Sequence, residues 1–365
     1  MRVLISGGGT GGHVFPSLAI AGEITKRNLS NEVLFIGTRG GLESRMVPEQ
    51  GYAFRPVSGG AVVRRGVSGA FSGAFFTAVG IAQSLSILKK FAPHVAVGMG
   101  GYASFPALAA ARVLGIPVVI CEQNSVPGLA NRMLGKIARR VFLSFPPPDR
   151  SRLRFAAEKI RVVGNPARPE LCAAARRAAN TQAGGGDFTI FVLGGSQGAN
   201  ALNRFVPDAV AAFKEGAAKK VKVFHQTGKG AADKVERVYA AAGIEAVVFD
   251  FNPMVADFYA QASMVISRAG AGAVSEIALF SKPSILIPYP FAAGGHQRSN
   301  AEMMEKAGAA VVIEEKNLSQ KTVAETLKRL VNSNSLEEMS RATAEFASPE
   351  AALRVVDEIE VLAGG

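Results

Sequence analysis

The run Val3-Leu4-Ile5-Ser6-Gly7-Gly8-Gly9-Thr10-Gly11-Gly12-His13 decides the fold of this chain. A short strand-forming run feeds without a break into a glycine-rich turn, and an apolar periodic segment follows. Strand, tight turn and helix in that order open a Rossmann-like unit. A second run, Phe188 to Leu193 followed by Gly194-Gly195-Ser196-Gln197-Gly198-Ala199-Asn200, repeats the device in the other half of the chain.

Outward from the first run, β-rich segments recur between helical ones. They are Val33 to Gly37, Val95 to Gly98, Pro117 to Ile120 and Val141 to Leu143. After Arg161-Val162-Val163, the turn Gly164-Asn165-Pro166 stops an element. Outward from the second run come Val221 to Phe224, Val247 to Phe249, Met264 to Ile266 and Ser284 to Ile287. Strands alternating with helices predict an α/β protein with parallel sheets. The reading is two Rossmann-like domains, each a mostly parallel sheet flanked by helices, over 1–163 and 164–348. Val163–Arg168 is the linker, and a last helix at about 349–365 is free to pack back on the first domain.

Composition agrees with that architecture and narrows the partners. The chain has 365 residues, 48% hydrophobic and 19% charged, with 40 glycines and 18 prolines, which suits two globular domains. Cys121 and Cys172 form neither a metal spacing nor a disulfide framework, which points to a reducing compartment. Four scattered histidines give no metal-ligand pattern. The apolar run before the first glycine turn is too short for a signal peptide. The net charge of +12 suits an anionic membrane, a polyphosphate substrate or nucleic acid. No basic tail, zinc finger or aromatic-basic motif supports the last of these, so no nucleic-acid partner is expected.

Gly7 to Gly12 satisfies GxGxxG after a strand, but the second strand ends in Gly37-Thr38-Arg39, without the acidic residue that holds a ribose diol. The nicotinamide reading is therefore incomplete, and a plain tight turn is the bland alternative. No glycine loop is followed by Gly-Lys-Ser/Thr, which excludes a Walker nucleotidase. His13 falls in the first helical turn after the loop, where the helix N-terminus disfavours an added positive charge and leaves the ring able to accept a proton. Locally it reads equally as a structural histidine. Backbone N–H groups of Gly194 to Asn200 suit a diphosphate, with Ser196 as a further donor and Arg168 as a counter-charge. In Ser267-Arg268-Ala269-Gly270-Ala271-Gly272-Ala273-Val274-Ser275-Glu276, small residues allow close approach and Glu276 can accept two ribose hydroxyls. Gln297 and Asn300 follow, as amides that can read sugar hydroxyls.

Taken together, GGGTGGHVFPSLAIA (7–21), VGMGGYASFPALAAA (97–111), EQNSVPGLANR (122–132), VVGNPAR (162–168), VLGGSQGANALN (192–203), HQTGKG (225–230), SRAGAGAVSEIA (267–278) and the 288–301 segment resemble one family. It is the family of UDP-GlcNAc transferases that glycosylate undecaprenyl-pyrophosphoryl-MurNAc-pentapeptide in peptidoglycan synthesis. The resemblance implies a GT-B fold with its two domains facing a cleft, donor mainly on the second and acceptor mainly on the first. It implies inverting transfer with no metal and no cofactor, consistent with the want of an Asp-x-Asp motif. Carried over, Arg168, Ser196, Phe251, Ala271, Gly272, Ala273, Val274, Ser275, Glu276, Gln297 and Asn300 would hold UDP-GlcNAc. Glu276 would take the ribose, Phe251 the uracil and Gln297 the sugar, with Thr10, Gly11, Gly12 and Asn124 added from the first domain. His13 becomes the favoured general base, with Glu122 and Tyr102 as the nearby candidates. Where the family often has His-Glu-Gln-Asn, this chain has Cys121-Glu122-Gln123-Asn124, which adds weight to His13. A 2-epimerase, a glycolipid synthase and a non-catalytic sugar-nucleotide-binding subunit are the competing readings.

Val67 to Leu88 carries no charge and lies between Arg64-Arg65 and Lys89-Lys90. Its length would span a bilayer, but its serines, glycines, Thr77 and Gln83 make poor transmembrane composition. It reads as a surface-seeking segment (Phe71, Phe75, Phe76, Ile81, Leu85) or as a core or lid segment. The first alternative and the resemblance imply peripheral attachment to an anionic membrane at its cytoplasmic face, near other cell-wall synthesis proteins.

Overall fold

In the computed structural model the described residues are 1–59, 66–147, 153, 155–180, 186–195, 198–252, 254–333 and 335–364, with the side chains of 66–72 left aside. The chain forms two compact units, Met1–Arg168 with Ser348–Gly365, and Pro169–Ala347.

The first unit runs β1 (Arg2–Ser6), α1 (Gly11–Arg27), β2 (Glu32–Gly37), α2 (Glu43–Glu49), β3 (Ala53–Pro56), α3 (Gly66–Phe91), β4 (Val95–Gly98), α4 (Ser104–Val113), β5 (Val118–Glu122), α5 (Leu129–Leu134), β6 (Arg140–Leu143) and β7 (Ile160–Val162). Its strands are parallel, in the order β3-β2-β1-β4-β5-β6-β7. Apolar residues occupy both faces because helices cover both. Val3, Ile5, Val33, Phe35, Val95 and Val97 fill one core. Leu4, Leu34, Ile36 and Ala96, the alternate positions, fill the other. Two buried faces turn period-two alternation into the continuous apolar runs seen in the sequence.

The second unit runs α6 (Pro169–Asn180), β8 (Phe188–Leu193), α7 (Asn200–Lys214), β9 (Val221–Gln226), α8 (Ala232–Ala241), β10 (Glu245–Phe249), α9 (Ala256–Gln261), β11 (Met264–Ser267), α10 (Ala271–Leu279), β12 (Ser284–Leu286), α11 (His296–Lys306), β13 (Ala310–Val312), α12 (Gln320–Val331) and α13 (Ser335–Ala344). Its parallel order is β10-β9-β8-β11-β12-β13. One face carries an aliphatic core with Ile190, Val192, Val223, Ile266 and Ile285. On the other, Phe258 stacks on Phe249 and Tyr259 meets Phe191 edge-on, with centroids 4.7 and 5.0 Å apart.

The chain then rejoins the first unit as α14 (Ala351–Gly364). Val355, Val356 and Ile359 enter the core that holds Val3 and Ile5. Gly164 explains the turn seen in the sequence: its φ is +93°, and a Cβ there would fall 2.0 Å from Ser348 Cβ, where the returning chain lies. Arg27, in the last turn of α1, reaches Asp357 Oδ1 at 2.6 Å and Glu360 Oε2 at 2.7 Å and donates to the Leu353 carbonyl at 3.1 Å. Arg27→Ala should therefore remove roughly 1 kcal/mol from the docking of α14. Amide exchange in Ala351–Gly364 should quicken by about fivefold; unchanged protection would mean that apolar burial alone holds the helix.

Candidate active site

Both sheets carry the strand order 3-2-1-4-5-6, in which the sense of strand addition reverses between the first and fourth strands. Ligands of such sheets bind at the carboxyl ends of the strands, at that switch point. In the first unit the point lies between β1 and β4, where Ser6 pairs with Gly98. In the second it lies between β8 and β11, where Leu193 pairs with Ser267. The sequence motifs gather at these two places.

At the first switch point the loop Gly7–Thr10 leads into α1, with Thr10 exposed and Gly11, Gly12 and His13 in the first turn. The His13 ring is half-buried, with Nδ1 3.1 Å from the Gly8 carbonyl and 3.4 Å from Thr10 Oγ1. A carbonyl can only accept, so Nδ1 carries a proton, which in a neutral ring puts the lone pair on Nε2. The ring lies against the loop after β4, since a Cβ on Gly100 would be 3.3 Å from His13 Nε2 and one on Gly101 3.0 Å from the Gly8 oxygen. Both glycines have positive φ, of +84° and +74°, so any side chain would strain the loop and crowd the imidazole. Tyr102 follows, 46% exposed.

Glu122, at the end of β5, is 2% exposed. Its Oε1 accepts from Asn124 N (3.0 Å) and Asn124 Nδ2 (3.2 Å), and its Oε2 from Gly128 N (3.0 Å) and Asn131 Nδ2 (2.8 Å). Four N–H donors thus occupy the carboxylate, which braces the loop that presents Asn124. Asn131, which sequence reasoning missed, also donates to the Cys121 carbonyl at 3.0 Å. Cys121 is buried, and burial, then the Glu122 charge, push its thiol well above the usual range. Arg168 lays its guanidinium 4.8 Å from the centre of the Phe15 ring on α1.

At the second switch point Ser196 and Gln197 lie outside the described residues. Their loop is held from below. Gln226 Nε2 donates to the Gly195 carbonyl (3.2 Å), and Gln226 Oε1 accepts from Asn252 N (3.3 Å) beside half-exposed Phe251. Gly198 packs so closely that a Cβ would fall 2.2 Å from the Thr227 oxygen. Across the switch, Ser267 Oγ donates to the Leu193 carbonyl at 3.2 Å. Ala271, Gly272, Ala273, Val274, Ser275 and Glu276 form the first turns of α10, with Ala271 and Val274 buried and Glu276 partly exposed. Asn300 is fully buried and donates to the Ala269 carbonyl at 3.0 Å. Gln297 Oε1 accepts from Tyr289 N at 2.9 Å. Arg268 ties the same segment by donating to the Ile287 carbonyl (3.1 Å) and pairing with Glu315 at 2.5 Å.

The long segment Val67–Leu88 divides. Ile81 and Leu85 pack on the core around Leu88, so they leave the surface set in which the sequence had placed them. Phe75 (65% exposed) and Phe76 (48%) remain outside, in edge-on contact at 5.8 Å, with Lys89 and Lys90 exposed. Arg64, Arg65 and the Phe71 side chain lie outside the described residues. Among the described residues no helix is long and apolar enough to cross a membrane, and no three His, Cys, Asp or Glu side chains are grouped to hold a metal ion.

Two parallel units of this order, with glycine loops at both switch points, define the class of GT-B glycosyltransferases. The comparisons agree. Residues 3–143 match the glycosyltransferase family 28 N-terminal domain and residues 189–355 the glycosyltransferase family 28 C-terminal domain. The chain belongs to the family of UDP-N-acetylglucosamine–N-acetylmuramyl-(pentapeptide) pyrophosphoryl-undecaprenol N-acetylglucosamine transferases. The member from Geobacter sulfurreducens is 39% identical over 360 residues, 98% of each chain, and that from Syntrophus aciditrophicus 39% over 358 residues, 98% of this chain and 97% of its own. The crystal structure of Acinetobacter baumannii MurG superposes with a TM-score of 0.80 at 29% identity, over 98% of this chain and 99% of that one. A Neisseria meningitidis UDP-GlcNAc 2-epimerase shares the fold alone, with a TM-score of 0.69 at 14% identity over 98% and 99%.

His225 is a buried polar centre that sequence reasoning left inside a motif. Asn203 Nδ2 donates to the Thr227 carbonyl (2.9 Å), so its Oδ1 accepts from His225 Nε2 (3.1 Å), and His225 Nδ1 then accepts from the Tyr239 hydroxyl (3.0 Å). Burial pushes the imidazole pKa down to about 3. The unfolded chain binds a proton there from about pH 6.5, so stability falls as pH drops from 6.5 towards 3. In His225→Gln the pH slope of unfolding over this window should flatten by up to about 1.4 kcal/mol per pH unit. An unaltered slope in denaturant titrations would show that His225 is not what acid attacks.

Proposed function

We propose that this chain transfers N-acetylglucosamine from UDP-GlcNAc to the C4 hydroxyl of MurNAc in undecaprenyl-pyrophosphoryl-MurNAc-pentapeptide, making the lipid-linked disaccharide precursor of peptidoglycan. The observation that carries the reading is the gathering of the family's motifs at the switch points of two units whose chain aligns with named transferases over 98% of its length.

UDP-GlcNAc is held by the second domain, over about 164–348. The loops after β8 and β11 offer backbone N–H groups to the diphosphate, Glu276 takes the ribose hydroxyls, Phe251 lies on the uracil and Gln297 reads the sugar. Asn300 acts by fixing the Ala269 carbonyl. Arg168 and Ser196 offset the charge that grows on UDP as the C1–O bond breaks. The first domain, 1–163, takes the acceptor. His13 Nε2 removes the proton of the C4 hydroxyl as its oxygen bonds to C1 from the face opposite the leaving UDP, inverting the configuration. Glu122, its carboxylate filled by loop donors, positions Asn124 rather than moving a proton. Thr10, Gly11, Gly12 and Asn124 complete the UDP-GlcNAc site from the first domain, and Tyr102 is the nearby alternative base. The reaction needs neither metal nor cofactor.

UDP release should depend on a short-chain MurNAc-pentapeptide lipid analogue, persist in EDTA, and yield a disaccharide product by mass. Release of UDP-ManNAc instead would support the epimerase alternative, and saturable donor binding without any turnover a binding subunit. His13→Ala should bind UDP-GlcNAc normally while kcat falls roughly 10²–10⁴-fold; undiminished turnover removes His13 from the role.

The acceptor lipid places the enzyme on the cytoplasmic face of the cell membrane as a peripheral protein. Phe71, Phe75 and Phe76 would insert, with Arg64, Arg65, Lys89 and Lys90 each adding about 1 kcal/mol against anionic lipid. Cosedimentation with anionic vesicles should drop in the Phe71→Ser/Phe75→Ser double variant, and equal binding would move the docking surface elsewhere.

A further inference from the structure

Glu43 was not singled out by any motif, yet the first glycine loop is built around it. The side chain is 1% exposed. Its Oε1 accepts from Thr38 N and Thr38 Oγ1, both at 3.0 Å, and its Oε2 accepts from Gly9 N at 2.8 Å. Three glycines make room for it. A Cβ on Gly8 or Gly41 would come within 2.1 Å of its carboxyl atoms, and one on Gly37 within 2.6 Å of its Cγ. Parallel pairing of β1 with β2, with Ser6 opposite Ile36, delivers the two loops side by side for this contact.

The bond to Gly9 N acts beyond the loop. The Gly9 N–H and the Gly8 carbonyl belong to one peptide unit, planar and trans, so the two groups point in opposite directions. Glu43 holds the N–H end at 2.8 Å, and the carbonyl end accepts from His13 Nδ1 at 3.1 Å. We propose that Glu43 is a positioning residue for the transfer, holding and polarising the Gly8–Gly9 peptide so that its carbonyl fixes His13 in the Nδ1–H tautomer with Nε2 towards the acceptor hydroxyl. The arrangement is a carboxylate–histidine pair with a peptide inserted between its members. A carboxylate beside the N–H enriches the electron density at the carbonyl oxygen, as in any chain of hydrogen bonds. When Nε2 takes the C4-hydroxyl proton, the charge on the ring then faces a carbonyl already polarised to receive it.

The inference rests on the reading of His13 as general base, and the test separates the two. In Glu43→Gln, either orientation of the amide sets an N–H donor against Gly9 N or Thr38 N. The kcat should fall roughly 10–100-fold, the usual cost of losing such a supporting partner. The KM for UDP-GlcNAc should stay within about twofold, since the donor is held mainly by the second domain. Long-range ¹H–¹⁵N spectra of histidine-labelled enzyme, assigned with His13→Gln, should show His13 as the Nδ1–H tautomer in the wild type and lose that preference in Glu43→Gln. Wild-type kcat in Glu43→Gln, with His13→Gln inactive, would overturn the relay and leave the base in place. Turnover retained in His13→Gln would remove both. Should Glu43→Gln not fold, the wild-type spectrum decides alone, because an Nε2–H tautomer there contradicts the relay.

Discussion

Placing the first strand in the middle of a parallel sheet forces its two flanking connections to opposite faces. The carboxyl ends of the first and fourth strands are then left open to a ligand, and everything functional in this chain depends on that gap. The loop after β1 and the loop after β4 must approach across it with no side chains between them. Gly7, Gly100 and Gly101 meet that demand: a Cβ on Gly7 would lie 2.6 Å from Met99 Cβ, and one on Gly101 3.0 Å from the Gly8 oxygen. In the second unit glycine instead lets the turn close on itself and on the loop after β9: a Cβ on Gly194 would lie 2.7 Å from Ala199 N, and one on Gly198 2.2 Å from the Thr227 oxygen. Glycine richness here is a steric requirement of chain segments packed backbone to backbone, and the proposed diphosphate site makes use of it.

Loops freed of side chains need some other restraint, because glycine loses more backbone entropy on ordering than any other residue. In the first unit two buried carboxylates supply it. Glu43 and Glu122 are 1% and 2% exposed, and each accepts only from groups in its own neighbourhood of loops. Burying a carboxylate costs several kcal/mol unless charge-assisted hydrogen bonds offset it. The offset works only in one loop conformation, so the cost itself selects that conformation.

This explains which parts were legible beforehand. Inner strands announce themselves because both faces are buried, and Val3 to Ser6 or Phe188 to Leu193 can be little else. The edges do not. Ala53–Pro56 is a short, largely exposed strand containing Arg55 and Pro56, and β13 spans only Ala310–Val312. The glycine loops and His13 are legible from local order. Glu43, Asn131, Gln226 and Asn203 are not, because most of their partners are backbone groups supplied by distant segments, and no spacing along the chain encodes such a contact. Ile81 and Leu85 misled for a related reason: an uncharged helix with one face on the core and phenylalanines on the other looks apolar all round.

The two units brace their loops with different chemistry, and the proposed reaction accounts for the choice. In the second, most braces are neutral: Gln226 on Gly195, Asn203 (itself held by uncharged His225) on Thr227, Asn300 on Ala269, Gln297 on Tyr289, while Asp250 Oδ2 accepts from Gly230 N at 3.0 Å in the loop after β9. Among the described residues its one buried charge, Arg268, is positive and is matched by Glu315. A buried carboxylate under the β8 loop would repel a diphosphate with little screening, since water and salt weaken such interactions far less inside a protein than at its surface. In the first unit the penalty reverses sign. There, in the proposed reaction, the group that acquires charge is an imidazole becoming imidazolium, and negative charge held behind it by Glu43 favours that state. In the proposed reaction, the carboxylate behind the Gly8–Gly9 peptide lies with the group that gains positive charge, and the amide under the β8 loop with the group that gains negative charge.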